Sequence, residues 1–189
     1  RLLLNWFAKS YCEAIEDEQR YMPIKRIEPL KIGDCDSIDD LTQKDRQMGM
    51  KNMDKLAVIK LNGGLGTSMG CKEAKSLLYI TKQERFIDFI KQQKDYLNQK
   101  TQYNIPFYLM NSFYTHDQMQ DFSSDFKLFR QHKVPRLTKE LKALQSNDDH
   151  AWAPPGHGNI YLAMYEQGIL DDLIEQGIEI MFISNSDNL

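Results

Sequence analysis

Four glycines, Gly63, Gly64, Gly66 and Gly70, follow the apolar run Leu56–Leu61, and Lys72 and Lys75 close the segment. Without a Cβ, a glycine lets its backbone N–H come close to a phosphate or a base. The composition alone also suits an ordinary Gly-rich turn. The spacing is not that of G-x-x-x-x-G-K-[ST], because Cys71 follows Gly70. Nor is it G-x-G-x-x-G, because Met69 stands where the third glycine belongs. The segment therefore suggests a nucleotide loop in neither common form. A lysine there neutralises a triphosphate as a point charge. Lys75 adjoins the apolar run Ser76–Ile80, which places it nearer the body of the fold than Lys72.

Two further clusters carry chemistry. In Trp152-Ala153-Pro154-Pro155-Gly156-His157-Gly158-Asn159 a histidine sits between two glycines, behind two prolines. Proline fixes the backbone, so His157 is held on a rigid, open loop ahead of a helix. A structural histidine in a tight turn fits the same residues equally well. In Ser184-Asn185-Ser186-Asp187-Asn188 a carboxylate lies just past an apolar strand. That suits Mg²⁺ in an α/β phosphate site, although Asp among Ser and Asn is commonly a turn residue. His116, His132 and His150 lack ligand spacing and read as surface or cap residues. No Ser-His-Asp or Cys-His arrangement is supported.

The elements that must position these residues begin with a helix. Leu4, Phe7, Ala8, Tyr11 and Ile15 recur at helical steps over residues 1–21. Pro23 to Met53 reads as a connector with about one helical turn near residues 39–46. Strands are expected at 56–61, 76–80, 106–111, 126–130 and 178–184. Helices are expected at 84–99, from Thr115 with Gln118 as capping-box partner to Phe122, at 139–144, and from Gly158 or Asn159 onward with a break at Gly168. Strands alternating with helices imply an α/β fold with a mostly parallel sheet flanked by helices, and a ligand at the strands' carboxyl ends. The expected division is an N-terminal helix and connector over 1–53 and a nucleotide-binding part over 54–189.

The 189 residues are 41% hydrophobic and 27% charged, with a net charge of −3. A balanced, mildly acidic chain argues against a nucleic-acid binder. No apolar run approaches the ~20 residues needed to span a bilayer. Cys12, Cys35 and Cys71 form no C-x-x-C pair, and an odd count suits a reducing compartment, hence a cytoplasmic expectation. The chain starts at Arg1 and stops after a polar cluster at Leu189, which suggests a piece of a longer polypeptide. Self-association is left open.

Taken together, the clusters resemble the UTP–glucose-1-phosphate uridylyltransferases. Lys60 to Ser76 resembles that family's K-L-N-G-G-L-G-T-x-M-G-C-K-x-x-K-S signature, and Leu109 to Phe113 with Thr115 its L-M-N-S-F-x-T segment. Gln131 with Pro135-Arg136, Pro154 to Gly158 and Ser184 to Leu189 resemble its Q-x-x-x-P-R, P-P-G-H-G and S-N-x-D-N-L blocks, in the same order. The resemblance covers Leu56 to Leu189 and implies a GT-A-like sheet. It also implies Mg²⁺-assisted formation of UDP-glucose and pyrophosphate from UTP and glucose 1-phosphate. Carried over residue by residue, Leu61, Asn62, Gly63, Gly64, Lys75, Gln131 and Gly156 would hold the nucleotide, with Lys75 catalytic. Gly63, Gly64, His157, Asn185, Ser186 and Asp187 would face the sugar phosphate, with Asp187 on the metal.

Two positions depart from the family pattern: Glu73-Ala74 stands where Gly-Pro is usual, and Ala153 where an aromatic is common. The resemblance places the rest of the sugar pocket and a second catalytic lysine beyond Leu189, so the isolated chain is expected to be inactive. Two alternatives stand beside this reading. One is a related pyrophosphorylase for an N-acetylhexosamine 1-phosphate, which the P-P-G-H-G block disfavours. The other is a non-catalytic uridine-nucleotide-binding fragment or degenerate homologue.

Overall fold

Strand β1, Leu56–Asn62, is apolar on both faces over most of its length, and Ala57 to Lys60 are all buried. Such a run is stable only when both faces are covered. In the computed structural model it lies inside a four-stranded parallel sheet ordered β3-β2-β1-β6, with β2 at Phe107–Asn111, β3 at Lys127–Arg130 and β6 at Ile180–Asn185. The residues described are 2–16, 24–31, 33–65, 70, 72–144, 146 and 148–188. They fall into two compact units, Arg1–Lys51 and Asn52–Leu189.

In the second unit, helix α3, Phe86–Thr101, covers one face of the sheet. Its Ile87 and Ile90 pack with Val58, Phe107, Leu109 and Met119. The other face is covered by α4, Ile160–Glu166, and α5, Ile169–Glu175. There Ala57, Ile59, Tyr108, Met110 and Phe129 meet Ile160, Ala163, Met164 and Leu173. Gly168, with φ +73°, separates α4 from α5 in the left-handed conformation that glycine tolerates. An antiparallel pair, β4 at Val134–Pro135 and β5 at Trp152–Ala153, lies outside the main sheet. The fold is α/β, with a parallel sheet between helices.

The first unit holds α1, Leu2–Glu16, and α2, Gln43–Lys51. Phe7 and Tyr11 stack with ring centroids 6.4 Å apart, whereas Leu4 and Ile15 of the same expected stripe are exposed. The remainder of the expected helix, residues 17–21, lies outside the described residues. The single turn expected at 39–46 is a 3-10 turn at Ile38–Asp40 followed by a full helix. A reciprocal cap starts α2: Thr42 N–H donates to Asp45 Oδ2 at 2.8 Å, and Asp45 N–H to Thr42 Oγ1 at 3.4 Å.

Three other expectations are corrected. Ser76–Ile80 is not a strand. Lys75–Leu77 forms a 3-10 turn, closed by Leu78 N–H to Lys75 O, and Tyr79 makes only an isolated bridge to Arg85. Leu77 packs against the core cluster that contains Ile87 and Ile90 of α3, whereas Tyr79 and Ile80 are exposed. Thr115 caps no helix: its hydroxyl donates to Asn62 O at 2.8 Å, and the following turn, Asp117–Phe122, is 3-10. Gln118 accepts from Ala74 N–H instead of completing a capping box. Lys139–Leu144 is a loop, not a helical turn, because Leu141 takes φ +61° and Leu137 bridges Ala143.

Ile59, fully buried at the centre of the sheet, tests this core. Ile59→Ala is expected to lower the unfolding free energy by about 2–5 kcal/mol in denaturant titration.

Candidate functional site

The sheet's strand order sets where a ligand can sit. From β1 the chain moves to β2 and β3, then returns to the other side of β1 as β6. The segments after β1 and β6 therefore leave side by side at the carboxyl ends of adjacent parallel strands, and the crevice at that edge is the position where α/β folds bind ligands. Leu61 lies opposite Asn185 in the β1–β6 ladder, and Asn62 opposite Asn111 in the β1–β2 ladder. One edge thus receives the ends of all these strands.

In that crevice is a cleft of about 80 Å³ lined by Leu61, Gly64, Lys75, His157, Asn185, Ser186 and Asp187. The Lys75 ammonium lies 3.2 Å from Asp187 Oδ2, and both side chains are about a third exposed. Water screens such a pair, which adds little to stability and leaves both groups accessible to an anion or a cation. Hydrogen bonds fix the turn that carries Asp187. Ser186 N–H donates to Leu61 O at 3.1 Å, and Asn188 N–H to Asn185 O at 3.3 Å. From below, Lys60 donates its ammonium to Asn188 O at 3.1 Å. Lys60 is only 4% exposed, and burial lowers its pKa from the usual lysine value. Among the described residues, no three His, Cys, Asp or Glu side chains group as a metal cage.

Beside the cleft lies a buried amide cluster. Asn62 Nδ2 donates to Asn111 Oδ1 at 2.8 Å, and Gln131 N–H to Asn111 O at 2.8 Å. Thr115 secures the end of β1, because its Oγ1 accepts from Ser112 N–H at 3.0 Å and donates to Asn62 O. Asn62 Oδ1, Asn111 Nδ2 and Gln131 Oε1 are buried without a hydrogen-bond partner among the described residues. Leaving a buried polar atom unpaired costs about 1–3 kcal/mol, so three together mark a place where a ligand's own donors and acceptors are wanted. Gly63 presses against this cluster: a Cβ there would overlap the Gln131 amide nitrogen. At Gly64 a Cβ would meet only Lys75 carbons, at 3.8 Å.

Gly156 adopts φ +104° and precedes the 3-10 turn His157–Asn159 that leads into α4. Gly156 and His157 are exposed. The singled-out residues therefore separate into the cleft, the amide cluster of Asn62, Gly63 and Gln131, and Gly156 on the neighbouring loop. Gly66 to Met69 and Cys71 of the Gly-rich segment lie outside the described residues.

Sequence reasoning left several of these residues without a role. Asn111, Ser112 and Thr115 support Asn62 across the sheet, and the signal for them was a polar residue ending each apolar run. Lys60 interrupts an otherwise apolar strand, which is a signal for a buried charge with a partner. His132 is no free surface residue: its Nε2 lies 2.8 Å from Glu166 Oε2 and its Nδ1 3.0 Å from Asn159 Oδ1. Burial, followed by the nearby charge of Arg130, lowers the pKa of His116.

The family model for UTP–glucose-1-phosphate uridylyltransferase matches residues 4–189. A Musa acuminata protein of that name is 42% identical over 157 residues, which are 77% of this chain and 34% of that protein. One from Encephalitozoon cuniculi is 41% identical over 165 residues, 84% of this chain and 32% of that protein. The chain thus spans about a third of the length of the curated relatives it matches. Among solved structures, a point mutant of UDP-glucose pyrophosphorylase from Leishmania major in complex with UDP-glucose superposes with a TM-score of 0.83 at 33% identity. That alignment covers 100% of this chain and 41% of the Leishmania chain.

The crowding at Gly63 is directly testable. Gly63→Ala is expected to push aside the amide end of Gln131 and to destabilise the chain by about 1 kcal/mol, the low end for overpacking, because that amide ends a flexible side chain. Gly64→Ala, with space around it, should change the thermal midpoint far less in the same melting experiment.

Proposed function

Since the chain belongs to the UTP–glucose-1-phosphate uridylyltransferase family, we propose that the protein carrying it makes UDP-glucose and pyrophosphate from UTP and glucose 1-phosphate. The observation that carries this reading is the juxtaposition of two unlike half-sites. One is a cluster of unpaired buried amides suited to a base, and the other a cleft with one accessible cation and one accessible carboxylate suited to phosphates.

Uracil presents an N–H flanked by two carbonyl oxygens. Gln131, through its unpaired Oε1, and the backbone of Gly156 are the groups we assign to it. Leu61, Asn62, Gly63 and Gly64 hold the nucleotide along the end of β1, where the missing Cβ at Gly63 admits close approach. Lys75 takes the triphosphate. His157, Asn185 and Ser186 take the sugar phosphate across the cleft, together with Gly63 and Gly64.

In the reaction, a phosphate oxygen of glucose 1-phosphate attacks the α-phosphorus of UTP in line. The bond from that phosphorus to the bridging oxygen breaks, and its electron pair leaves with pyrophosphate. The protein forms no bond to either substrate, so its work is orientation and charge neutralisation. Lys75 offsets charge on the non-bridging and leaving oxygens.

Mg²⁺ is the cofactor we assign, and its fit is judged from the donor set. Asp187 supplies a single carboxylate, and Mg²⁺ is usually held by one or two carboxylates plus substrate phosphates and water. A metal arriving with the nucleotide fits that donor better than a metal caged by protein alone. Bound there, Mg²⁺ would polarise the phosphoryl oxygens. Separation of Lys75 from Asp187 would then free the ammonium for phosphate. Two exposed free thiols, Cys12 and Cys35, suit a reducing setting such as the cytoplasm.

In a full-length polypeptide carrying this sequence, calorimetric titration should give saturable binding of Mg²⁺·UTP and none of Mg²⁺·ATP. Asp187→Ala should lower metal-dependent formation of UDP-glucose on the order of 100-fold or more. Equal binding of ATP would overturn the base assignment, and turnover that survives the substitution would overturn the metal assignment.

A further inference from the structure

Asn159 ends the 3-10 turn that runs into α4, and its backbone is already helical at φ −65° and ψ −12°. Its Oδ1 accepts from His132 N–H at 2.9 Å, a residue 27 positions earlier in the chain. The same oxygen lies 3.0 Å from His132 Nδ1, and His132 Nε2 is 2.8 Å from Glu166 Oε2. Asn159 also donates its own backbone N–H to Gly156 O at 3.2 Å. One residue therefore holds both Gly156 and the residue following Gln131.

The backbone on the other side of Gln131 is tied to the opposite end of the same helix. Gln167, just past α4, accepts from Arg130 N–H at 3.3 Å and donates to Arg130 O at 2.8 Å. Gln131 itself donates to Asn111 O. Residues 130, 131 and 132 are thus each fixed by a hydrogen bond to a different partner, two of them side chains at the ends of α4. Both ties join segments that are far apart in the chain, so the backbone around Gln131 is placed by α4 rather than by its own neighbours.

We infer that Asn159, backed by His132 and Glu166, is a positioning residue that sets the spacing between Gln131 and the Gly156 loop and thereby fixes which base is accepted. The inference rests on the assignment of Gln131 and Gly156 to uracil. A glutamine amide reads uracil with its oxygen and cytosine with its nitrogen. Selection between the two therefore depends on how firmly that amide is held relative to the facing backbone. Asn159 touches neither base nor phosphate in this scheme and acts only through the two segments it joins.

The test is calorimetric titration of Mg²⁺·UTP and Mg²⁺·CTP against the full-length polypeptide, its Asn159→Leu variant and its Asn159→Asp variant, with circular dichroism to confirm folding. Leucine keeps the branching at Cγ and removes the acceptor; aspartate keeps an acceptor at the same reach. Asn159→Leu should reduce the UTP-over-CTP preference about tenfold, the size of one lost hydrogen bond, while Asn159→Asp retains most of it. A purely structural role would weaken both nucleotides alike and leave the ratio unmoved. That result would overturn the positioning role, as would equal loss of preference in the leucine and aspartate variants. An unmodified protein with no preference for UTP would instead sink the uracil assignment, and the positioning role with it.

Discussion

Strand β1 is hydrogen-bonded in parallel on both sides, and the cleft and the amide cluster both depend on that pairing. The ladders set Asn62 against Asn111 and Leu61 against Asn185. A slip of one residue would turn Asn62 to the opposite face and carry the loop that follows it away from the turn after β6. The register is held by burial: Ala57 and Ile59 face α4 and α5, while Val58 faces α3. A flip of β1 would drive Lys60 and Asn62 into the apolar layer under α4 and α5 and strip both of their partners. The cleft and the amide cluster are thus consequences of packing several residues away from any ligand.

That packing carries a polar burden. Lys60, Asn62, Asn111, Ser112, Thr115 and Gln131 are all buried at or near the carboxyl edge of the sheet. Burying polar groups is unfavourable unless they are paired, and several here are paired only in part. A hydrophobic edge of the same shape would be more stable. What the polar edge supplies is direction. Thr115 closes the last carbonyl of β1, Asn111 orients Asn62, and Lys60 places a charge beneath the turn that presents Asp187. Each fixes the position of a neighbour at the carboxyl edge of the sheet.

Local patterns in the chain were readable where one interaction dominated. The apolar run of β1, the helical spacing of α3 and the break at Gly168 follow from hydrophobic periodicity and glycine geometry, and they appear within a residue or two of their expected bounds. The blocks around Gly63, Gln131, His157 and Asp187 were visible as residue types, but their meeting was not. Lys75 and Asp187 are 112 positions apart, and only the sheet brings them to 3.2 Å. Patterns failed where tertiary contacts overrode local rules. In Ser76–Ile80 only Leu77 packs on the core, while Tyr79 and Ile80 are exposed and join no ladder, and Thr115 and Asn159 bond to distant segments. The β4–β5 pair is too short to leave any periodic trace.

The two half-sites also differ in how they are built, and the difference has a mechanistic logic. The amide end is buried and locked, with Gly63 and Gln131 in close contact. The Lys75–Asp187 end is open, and its ion pair is only partly withdrawn from water. A rigid end converts binding of an unreactive part of a ligand into placement of the reactive part, and that placement lowers a barrier when reacting atoms must align. An open end lets charge enter, shift and leave without unfolding anything. Under the roles proposed above, exchanging these characters would hurt both tasks: a loose amide cluster would give up alignment of a base, and a buried Lys75–Asp187 pair would resist separation because each charge would lose its partner in a poorly solvating environment. The arrangement around β1 puts close packing at the amide cluster and solvent at the ion pair.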